Sequence, residues 1–131
     1  MKIKIIKQGA MLPASPAVVY QYLLDSKLHS KFTGDVATIS KKVGGKFSTF
    51  SGYATGKNLV LVPGKKIVQT WRAADWPKGA ESEITFLLKP TKGGTKLMFT
   101  HKGVPEGFVE DVTSGWKEYY WEPLKEILGK K

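Results

Sequence analysis

Two polar side chains, Gln69 and His101, are the first candidates for chemistry because each falls within a run of alternating apolar residues. Gln69 is two residues from Trp71 and His101 is two residues from Phe99, so each shares a strand face with an aromatic ring. A buried amide or imidazole needs a hydrogen-bond partner, which a ligand can supply. His101 also titrates near neutrality and is a potential base. We favour the alternative, that backbone or water satisfies it, because no carboxylate is placed to orient it.

Large aromatic side chains accompany these polar groups. Six of them converge if a C-terminal helix crosses the same face of the predicted sheet: Trp71, Trp76, Phe86, Phe99, Trp116 and Tyr120. Aromatic residues supply much of any small core, and ligand pockets are also mostly apolar, so both roles stay open. We predict a ligand-binding set made of Phe47, Gln69, Trp71, Trp76, Phe86, Phe99, His101, Val112, Trp116 and Tyr120.

Several other kinds of site are disfavoured. The chain has no cysteine, which removes disulfides, thiolate metal ligands and cysteine nucleophiles. The two histidines, His29 and His101, lie on different predicted elements and match no metal-binding pattern, so we expect no metal and no cofactor. The glycine pair at 44–45 lacks P-loop spacing and precedes a strand, which favours a turn. No catalytic constellation is visible, and an enzyme using His101 or Tyr120 as acid or base is the least favoured function.

The net charge of +10 is concentrated in the first half of the chain. Residues 1–74 hold 12 basic and 2 acidic side chains, whereas residues 75–131 hold 9 of each. A basic surface attracts polyanions, but 20 of the 21 basic residues are lysine, and nucleic-acid readers usually carry several arginines. We therefore expect solvated lysine faces and no nucleic-acid partner. No apolar run can span a bilayer and no signal-peptide core is visible, so we expect a cytoplasmic protein.

Local patterns predict two short helices after a first strand at residues 2–12. Ser15 fits the N-cap of the first helix and Pro16 its first turn. Ser26 is predicted to cap the second helix, which ends at Gly34 because glycine readily adopts the left-handed conformation that closes helices.

The rest of the chain changes from period two to a helical period. Apolar residues at three- and four-residue steps over 109–128 predict a long C-terminal helix, in which Pro123 predicts a kink. The segment 103–107 is predicted to be a flexible gate beside this helix. Short breaks rich in glycine favour an antiparallel meander. Its six strands are expected at residues 36–40, 45–50, 53–62, 65–73, 81–89 and 95–102. The element order thus predicts an α+β protein with a seven-stranded antiparallel sheet.

Segments spread over nearly the whole chain match one known family. They are 45–47 (GKF), 52–53 (GY), 56–59 (GKNL), 63–72 (PGKKIVQTWR), 75–77 (DWP), 82–86 (SEITF), 94–97 (GTKL), 115–116 (GW), 119–121 (YYW) and 124–125 (LK). This set resembles the C-terminal-type domain of the heat-shock-protein-90 ATPase activator homologues, which belong to the START-like helix-grip (SRPBCC) superfamily. The resemblance implies one START-like domain over residues 1–131, with a curved sheet wrapped around the long helix.

The resemblance also implies functions. Many superfamily members hold a hydrophobic small molecule, lipid-like or aromatic, in a cavity between sheet and helix, and we expect the same here. The alternative is a chaperone-associated interaction module in the stress response, whose acidic partner meets the basic half of the chain. The activators carry a separate N-terminal domain, and we expect none here because the matching fold begins near residue 2. We expect a monomer or weak homodimer.

Overall fold

The computed structural model describes residues 3–129. Its elements, in chain order, are β1 (Ile3–Leu12), α1 (Pro16–Leu24), α2 (Ser26–Thr33), β2 (Thr38–Ile39), β3 (Lys46–Thr49), β4 (Ala54–Val62), β5 (Lys66–Ala73), β6 (Ser82–Thr91), β7 (Gly94–Pro105), α3 (Val109–Trp116) and α4 (Glu122–Leu128). Short 3₁₀ turns lie at Phe50–Gly52 and Glu106–Phe108, and a π-helical turn, Lys117–Trp121, joins α3 to α4. The predicted start of the first strand, Lys2, lies outside the described residues.

The strands form one antiparallel sheet in the order β1-β7-β6-β5-β4-β3-β2. Strands β2 to β7 pair in sequence because their short connections allow only antiparallel neighbours. Strand β1 returns to β7, with pairing from Ile3 opposite Pro105 to Leu12 opposite Thr95. The predicted α+β helix-grip fold, with its seven-stranded sheet, is confirmed.

One face of the sheet carries the core. On β7, Leu97, Phe99 and His101 are buried, whereas the flanking Lys96 and Lys102 are exposed and the intervening Met98 and Thr100 are half-buried. This is the alternation expected of a sheet that faces water on one side only. The apolar face is covered by the helices: α1 contacts β6 and β7, while α3 and α4 contact β1.

The two short helices lie between β1 and β2, as predicted, but one cap differs. Asp25, and not Ser26, caps α2, because its extended backbone places Oδ1 3.0 Å from the amide nitrogen of Leu28. Ser26 is already the first helical residue. Its hydroxyl oxygen instead accepts a hydrogen bond from the amide of Ile39 (2.8 Å), which ties α2 to β2.

The C-terminal helix is irregular where Pro123 was expected to disturb it. Proline lacks an amide donor and its ring clashes with the carbonyl one turn earlier. A π-helical turn at Lys117–Trp121 occupies that preceding turn. The wider turn also brings the adjacent Tyr120 and Trp121 to the buried side, at 6% and 3% exposure. Gln8 of β1 fastens this region, because its side-chain oxygen accepts a hydrogen bond from Trp121 Nε1 at 2.6 Å.

The segment 103–107 does not form the flexible gate predicted from its glycines and proline. Strand β7 continues to Pro105, and Val104 is fully buried opposite Lys4 of β1. A 3₁₀ turn, Glu106–Phe108, then leads directly into α3. The gate prediction was wrong because the first residues of β1 give this stretch a hydrogen-bonding partner that local turn signals do not reveal.

Gly56 provides a test of how tightly the sheet is built under Phe47. A Cβ at position 56 would overlap the carbonyl oxygen of Thr70 and lie 2.7 Å from Phe47 Cε2. We expect Gly56→Ala to lower the free energy of unfolding by about 2 kcal/mol or more, the usual cost of overpacking. Urea denaturation measures this. Gly107→Ala is the control, since no atom from elsewhere in residues 3–129 lies within 4 Å of a Cβ there. Equal effects of the two variants would contradict the explanation.

Candidate functional site

The aromatic side chains converge as the sequence predicted. Ring centroids are 5.7 Å apart for Trp71 and Trp116 and 4.4 Å apart for Phe99 and Trp116. Phe86 lies beside Phe99 at 5.2 Å. All ten residues of the predicted ligand-binding set are buried. The structure therefore brings them together, and most of them serve as core.

His101 is held by side chains from two other elements. The indole Nε1–H of Trp116, on α3, donates to Nδ1 of His101 (3.1 Å). The hydroxyl of Ser82, on β6, donates to the carbonyl oxygen of Trp71 and lies 2.7 Å from Nε2 of His101. Because the single hydroxyl hydrogen is used on Trp71, Nε2–H of His101 is the donor to Ser82 Oγ. The imidazole is therefore neutral, with its proton on Nε2.

This network leaves His101 no free position for chemistry. Burial lowers its pKa from the usual 6.5 to about 3. Both nitrogens are engaged, so the ring has neither a lone pair nor a proton to offer a ligand. The expectation that a partner satisfies this histidine holds, but the partners are two side chains rather than backbone or water.

Gln69 is also satisfied within the protein. Its side-chain nitrogen donates to Oδ1 of Asn58 (2.9 Å). Asn58 in turn donates to the backbone carbonyl oxygens of Ser40 (2.7 Å) and Lys42 (3.0 Å), so the pair anchors the β2–β3 connection. Asn58 is fully buried and was missed by the sequence reasoning, which looked for polar groups only beside aromatic residues.

A second buried histidine was not assigned to the site from sequence. Nε2 of His29, on α2, forms a hydrogen bond with the hydroxyl of Tyr120 (3.0 Å), which joins α2 to the π-helical turn. Burial lowers the pKa of His29 to about 4 and raises that of Tyr120. Nδ1 of His29 has no partner among the described residues. The i, i+3 spacing of His29 and Phe32 was the available signal, since both face the core.

The space enclosed between sheet and helices is small. An inner cavity of about 10 Å³ lies among Leu23, His29, Ile39, Phe47, Thr49, Gln69, Trp71, Ile84, Phe86 and Tyr120. That is about the volume needed to hold one water molecule. This inner cavity therefore has no room for a lipid-like molecule.

A larger pocket opens at the side of the fold, where α3 meets the start of β4. Its volume is about 500 Å³. We call it the outer pocket, and its lining residues are Asp35, Phe50, Tyr53, Trp71, Asp111, Val112, Gly115, Trp116, Tyr119 and Tyr120. Four of them belong to the predicted set: Trp71, Val112, Trp116 and Tyr120. The remaining predicted residues, Phe47, Gln69, Trp76, Phe86, Phe99 and His101, do not line it.

The outer pocket has a strained wall. Phe50 and Ser51 both have positive φ angles, 52° and 56°, which residues other than glycine rarely adopt. Two hydrogen bonds hold this turn: Ser51 donates its amide to the carbonyl oxygen of Val36 (3.0 Å) and its hydroxyl to Oδ1 of Asp35 (2.5 Å). The turn places the Phe50 ring 5.9 Å from the ring of Tyr119. Backbone strain of this kind is costly and concentrates at functional sites.

Sequence patterns pointed only weakly to the outer pocket. Gly115 is a glycine inside the predicted C-terminal helix, and its missing side chain allows a ligand or the sheet to approach closely. Of the tyrosine pair, Tyr119 is 52% exposed and Tyr120 is buried. Asp35, Phe50 and Tyr53 lie in connections between elements, where no periodicity encodes the folded position, and Phe50 also has a strained φ.

The described residues lack two other kinds of feature. Among residues 3–129, no three histidine or acidic side chains cluster as a metal ion would require. In the same range, no helix is long and apolar enough to cross a bilayer.

The sheet gripping a long terminal helix, with an aromatic pocket at its side, defines a helix-grip protein. Residues 13–129 match the family model described as "Activator of Hsp90 ATPase homolog 1-like protein". The chain is 35% identical over 88% of its length to the human activator of 90 kDa heat shock protein ATPase homolog 1, and 33% identical over 93% to the Dictyostelium discoideum homologue. The chain belongs to this activator family. It spans about a third of the length of these two relatives, 34% and 32%.

Solved structures agree with this assignment. An HSP90 activator from Plasmodium falciparum superposes with a TM-score of 0.90 at 28% identity, covering 95% of this chain and 96% of that one. An Aha1 dimer from Colwellia psychrerythraea superposes with a TM-score of 0.80 at 25% identity, covering 95% and 96%.

The two buried histidines predict a pH dependence of stability. Each has a folded-state pKa, about 3 for His101 and about 4 for His29, below the unfolded value of 6.5. The unfolded chain therefore binds more protons as pH falls below 6.5, so this stability is present above pH 6.5 and is lost towards acid. We expect about 1.4 kcal/mol to be lost per pH unit for each histidine once the pH is below 6.

Urea denaturation between pH 6.5 and 5 measures this slope in a window above the range of most carboxylates. The variant His29→Gln has no titrating side chain at position 29. We therefore expect its free energy of unfolding to change less steeply with pH than that of the wild type. A free energy of unfolding that does not change over this range would contradict the neutral, buried state of both rings.

Proposed function

We propose that this protein acts with an Hsp90-type chaperone and stimulates its ATPase. The observation that carries the proposal is the match to the Plasmodium falciparum HSP90 activator, which extends over nearly the whole of that solved chain. The longer curated relatives contain this domain in about a third of their length. A chaperone partnership is compatible with the cytoplasmic location expected from the sequence.

The outer face of the sheet supports an acidic partner surface. Lys46 on β3 lies directly opposite Lys57 on β4, and both are exposed. Like charges in this cross-strand arrangement repel each other and destabilise a sheet. The pair flanks a shallow groove of about 560 Å³ lined by Thr38, Lys46, Phe47, Ser48, Thr55, Gly56, Lys57, Thr70 and Glu81. An acidic chaperone surface bound here removes the repulsion and gains two ionic contacts.

A double variant tests this face. We expect Lys46→Gln/Lys57→Gln to lose most of the ATPase stimulation of the cognate Hsp90, measured with purified proteins at low salt. The same variant should unfold at slightly higher urea, since a cross-strand pair contributes about 0.2–1 kcal/mol. Retained stability with lost stimulation separates binding from misfolding.

Lys89→Gln/Lys96→Gln is the matched control. These lysines also face each other, across β6 and β7, but at the far end of the sheet. We expect the control to stimulate normally. Loss of stimulation in the control alone would place the contact elsewhere on the sheet. A wild-type protein that neither stimulates nor associates with the chaperone at low salt would refute the proposal.

A second candidate function is binding of a small apolar molecule in the outer pocket. The observation that favours it is the pocket itself, since its volume lies within the 300–1,000 Å³ typical of ligand sites and its walls are mostly aromatic. Gly115→Leu is the blocking variant, because a Cβ there has open space around it: among the described residues, its neighbour within 4 Å is Cδ2 of Tyr119 (3.9 Å). Native mass spectrometry after exposure to a mixed lipid extract tests retention. No species retained by the wild type, or equal retention by the blocked variant, would oppose this candidate.

The oligomeric state remains a prediction. A homologue from Colwellia psychrerythraea is described as a dimer. Sedimentation at several protein concentrations distinguishes the two expected states, a monomer and a weak homodimer.

A further inference from the structure

The outer pocket has a charge opposite to that of the protein. The chain carries 21 lysine and arginine residues against 11 acidic ones. Yet among residues 3–129 the charged residues that line the pocket are Asp35 and Asp111, and its ten lining residues include no lysine, arginine or histidine. The pocket therefore favours ligands of positive charge, whereas the rest of the protein surface favours partners of negative charge.

Both carboxylates stay available to a cation. Asp35 accepts hydrogen bonds from the hydroxyl of Ser51 and the amide of Val36, and these bonds hold its pKa below its ordinary value. Neither Asp35 nor Asp111 has a lysine or arginine within ion-pair distance among residues 3–129. The negative field is felt by Tyr53, whose pKa is raised first by burial and then by the charge of Asp75, its hydrogen bond to Asp75, and the charge of Asp111.

The remaining walls present aromatic rings. Six of the ten lining residues are aromatic: Phe50, Tyr53, Trp71, Trp116, Tyr119 and Tyr120. Aromatic faces carry negative potential and attract cations, more strongly in sites shielded from water. Several of these rings adjoin at centroid distances of 4.4–5.9 Å, so they form a continuous surface rather than scattered contacts.

We propose that the outer pocket binds a small organic cation, with its apolar body against the rings and its ammonium group beside Asp35 and Asp111. This rests on the second candidate function and names its ligand class. A neutral lipid would gain nothing from the two carboxylates, and an anion would be repelled by them. A lysine side chain from a partner protein carries the same charge but would fill only a fraction of the 500 Å³.

Three probes of matched shape test the charge. Benzyltrimethylammonium is the cation, neopentylbenzene is its neutral isostere, and phenylmethanesulfonate is the anion. Fluorescence of Trp71 and Trp116, both in the pocket wall, or isothermal calorimetry reports binding. We expect the cation to bind about tenfold more tightly than the neutral isostere, and the anion not to bind. Added salt should lower the affinity for the cation but not that for the neutral isostere.

Substitutions locate the site. Asp35→Asn/Asp111→Asn keeps oxygen acceptors at both positions but removes both charges. It should lower the affinity for the cation about tenfold and leave the affinity for the neutral isostere unchanged. Glu110→Gln is the matched control, since Glu110 is exposed in the same first turn of α3 as Asp111 but does not line the pocket. Gly115→Leu should abolish binding of every probe. Thermal unfolding confirms that each variant is folded.

The outcomes separate the two proposals. If the neutral isostere binds as well as the cation, or the double asparagine variant keeps full affinity for the cation, the charge inference fails and the apolar-ligand function survives. If no probe binds and the lipid extract leaves nothing bound, both fail. If butylammonium, a mimic of the lysine side chain, binds as tightly as benzyltrimethylammonium, the pocket recognises a lysine of a partner and the small-molecule assignment is overturned.

Discussion

The hydrogen bond from the Trp116 indole to His101 determines how the terminal helix sits on the sheet. The indole has one donor and the imidazole one free acceptor, so the contact has a single geometry. Ser82 fixes the other side of the ring and thereby links β6, β7 and α3. Once Trp116 is oriented, its neighbours on the same helix face, Val112 and Gly115, are directed towards the outer pocket. The shape of that pocket therefore depends on the buried hydrogen bond between Trp116 and His101.

Periodicity was sufficient to predict the architecture. The two-residue alternation on β5, β6 and β7 identifies the inner face, and the spacing around Trp116 identifies the helix that covers it, because both are consequences of backbone repeat geometry. The β7 segment that ends at Pro105 was misjudged for a complementary reason. Its strand character comes from pairing with β1, about a hundred residues away in the chain, and local turn propensity carries no information on such a partner.

The candidate site was only half predictable. Trp71 and Tyr120 were found because they are aromatic and face inward, and they contribute to both the core and the outer pocket. Phe50 was missed because it lies in a turn in which two consecutive residues adopt positive φ, and Asp35 because only the fold brings it to the hydroxyl of Ser51 in that turn. The cavity found inside the expected hollow is small, and the buried Tyr120 and Trp121 of the π-helical turn belong to the packing around it.

The turn at Phe50 and Ser51 sets the stability of the fold against the hydrogen bond that positions Asp35. A non-glycine residue in the left-handed region costs about 1–3 kcal/mol, so two in succession use a large share of the margin that keeps a small domain folded. Glycine at position 51 would relieve part of that cost but would remove the hydroxyl that fastens Asp35. Selection for thermal stability alone would thus favour glycine at position 51, which gives a more stable protein in which Asp35 is held less firmly.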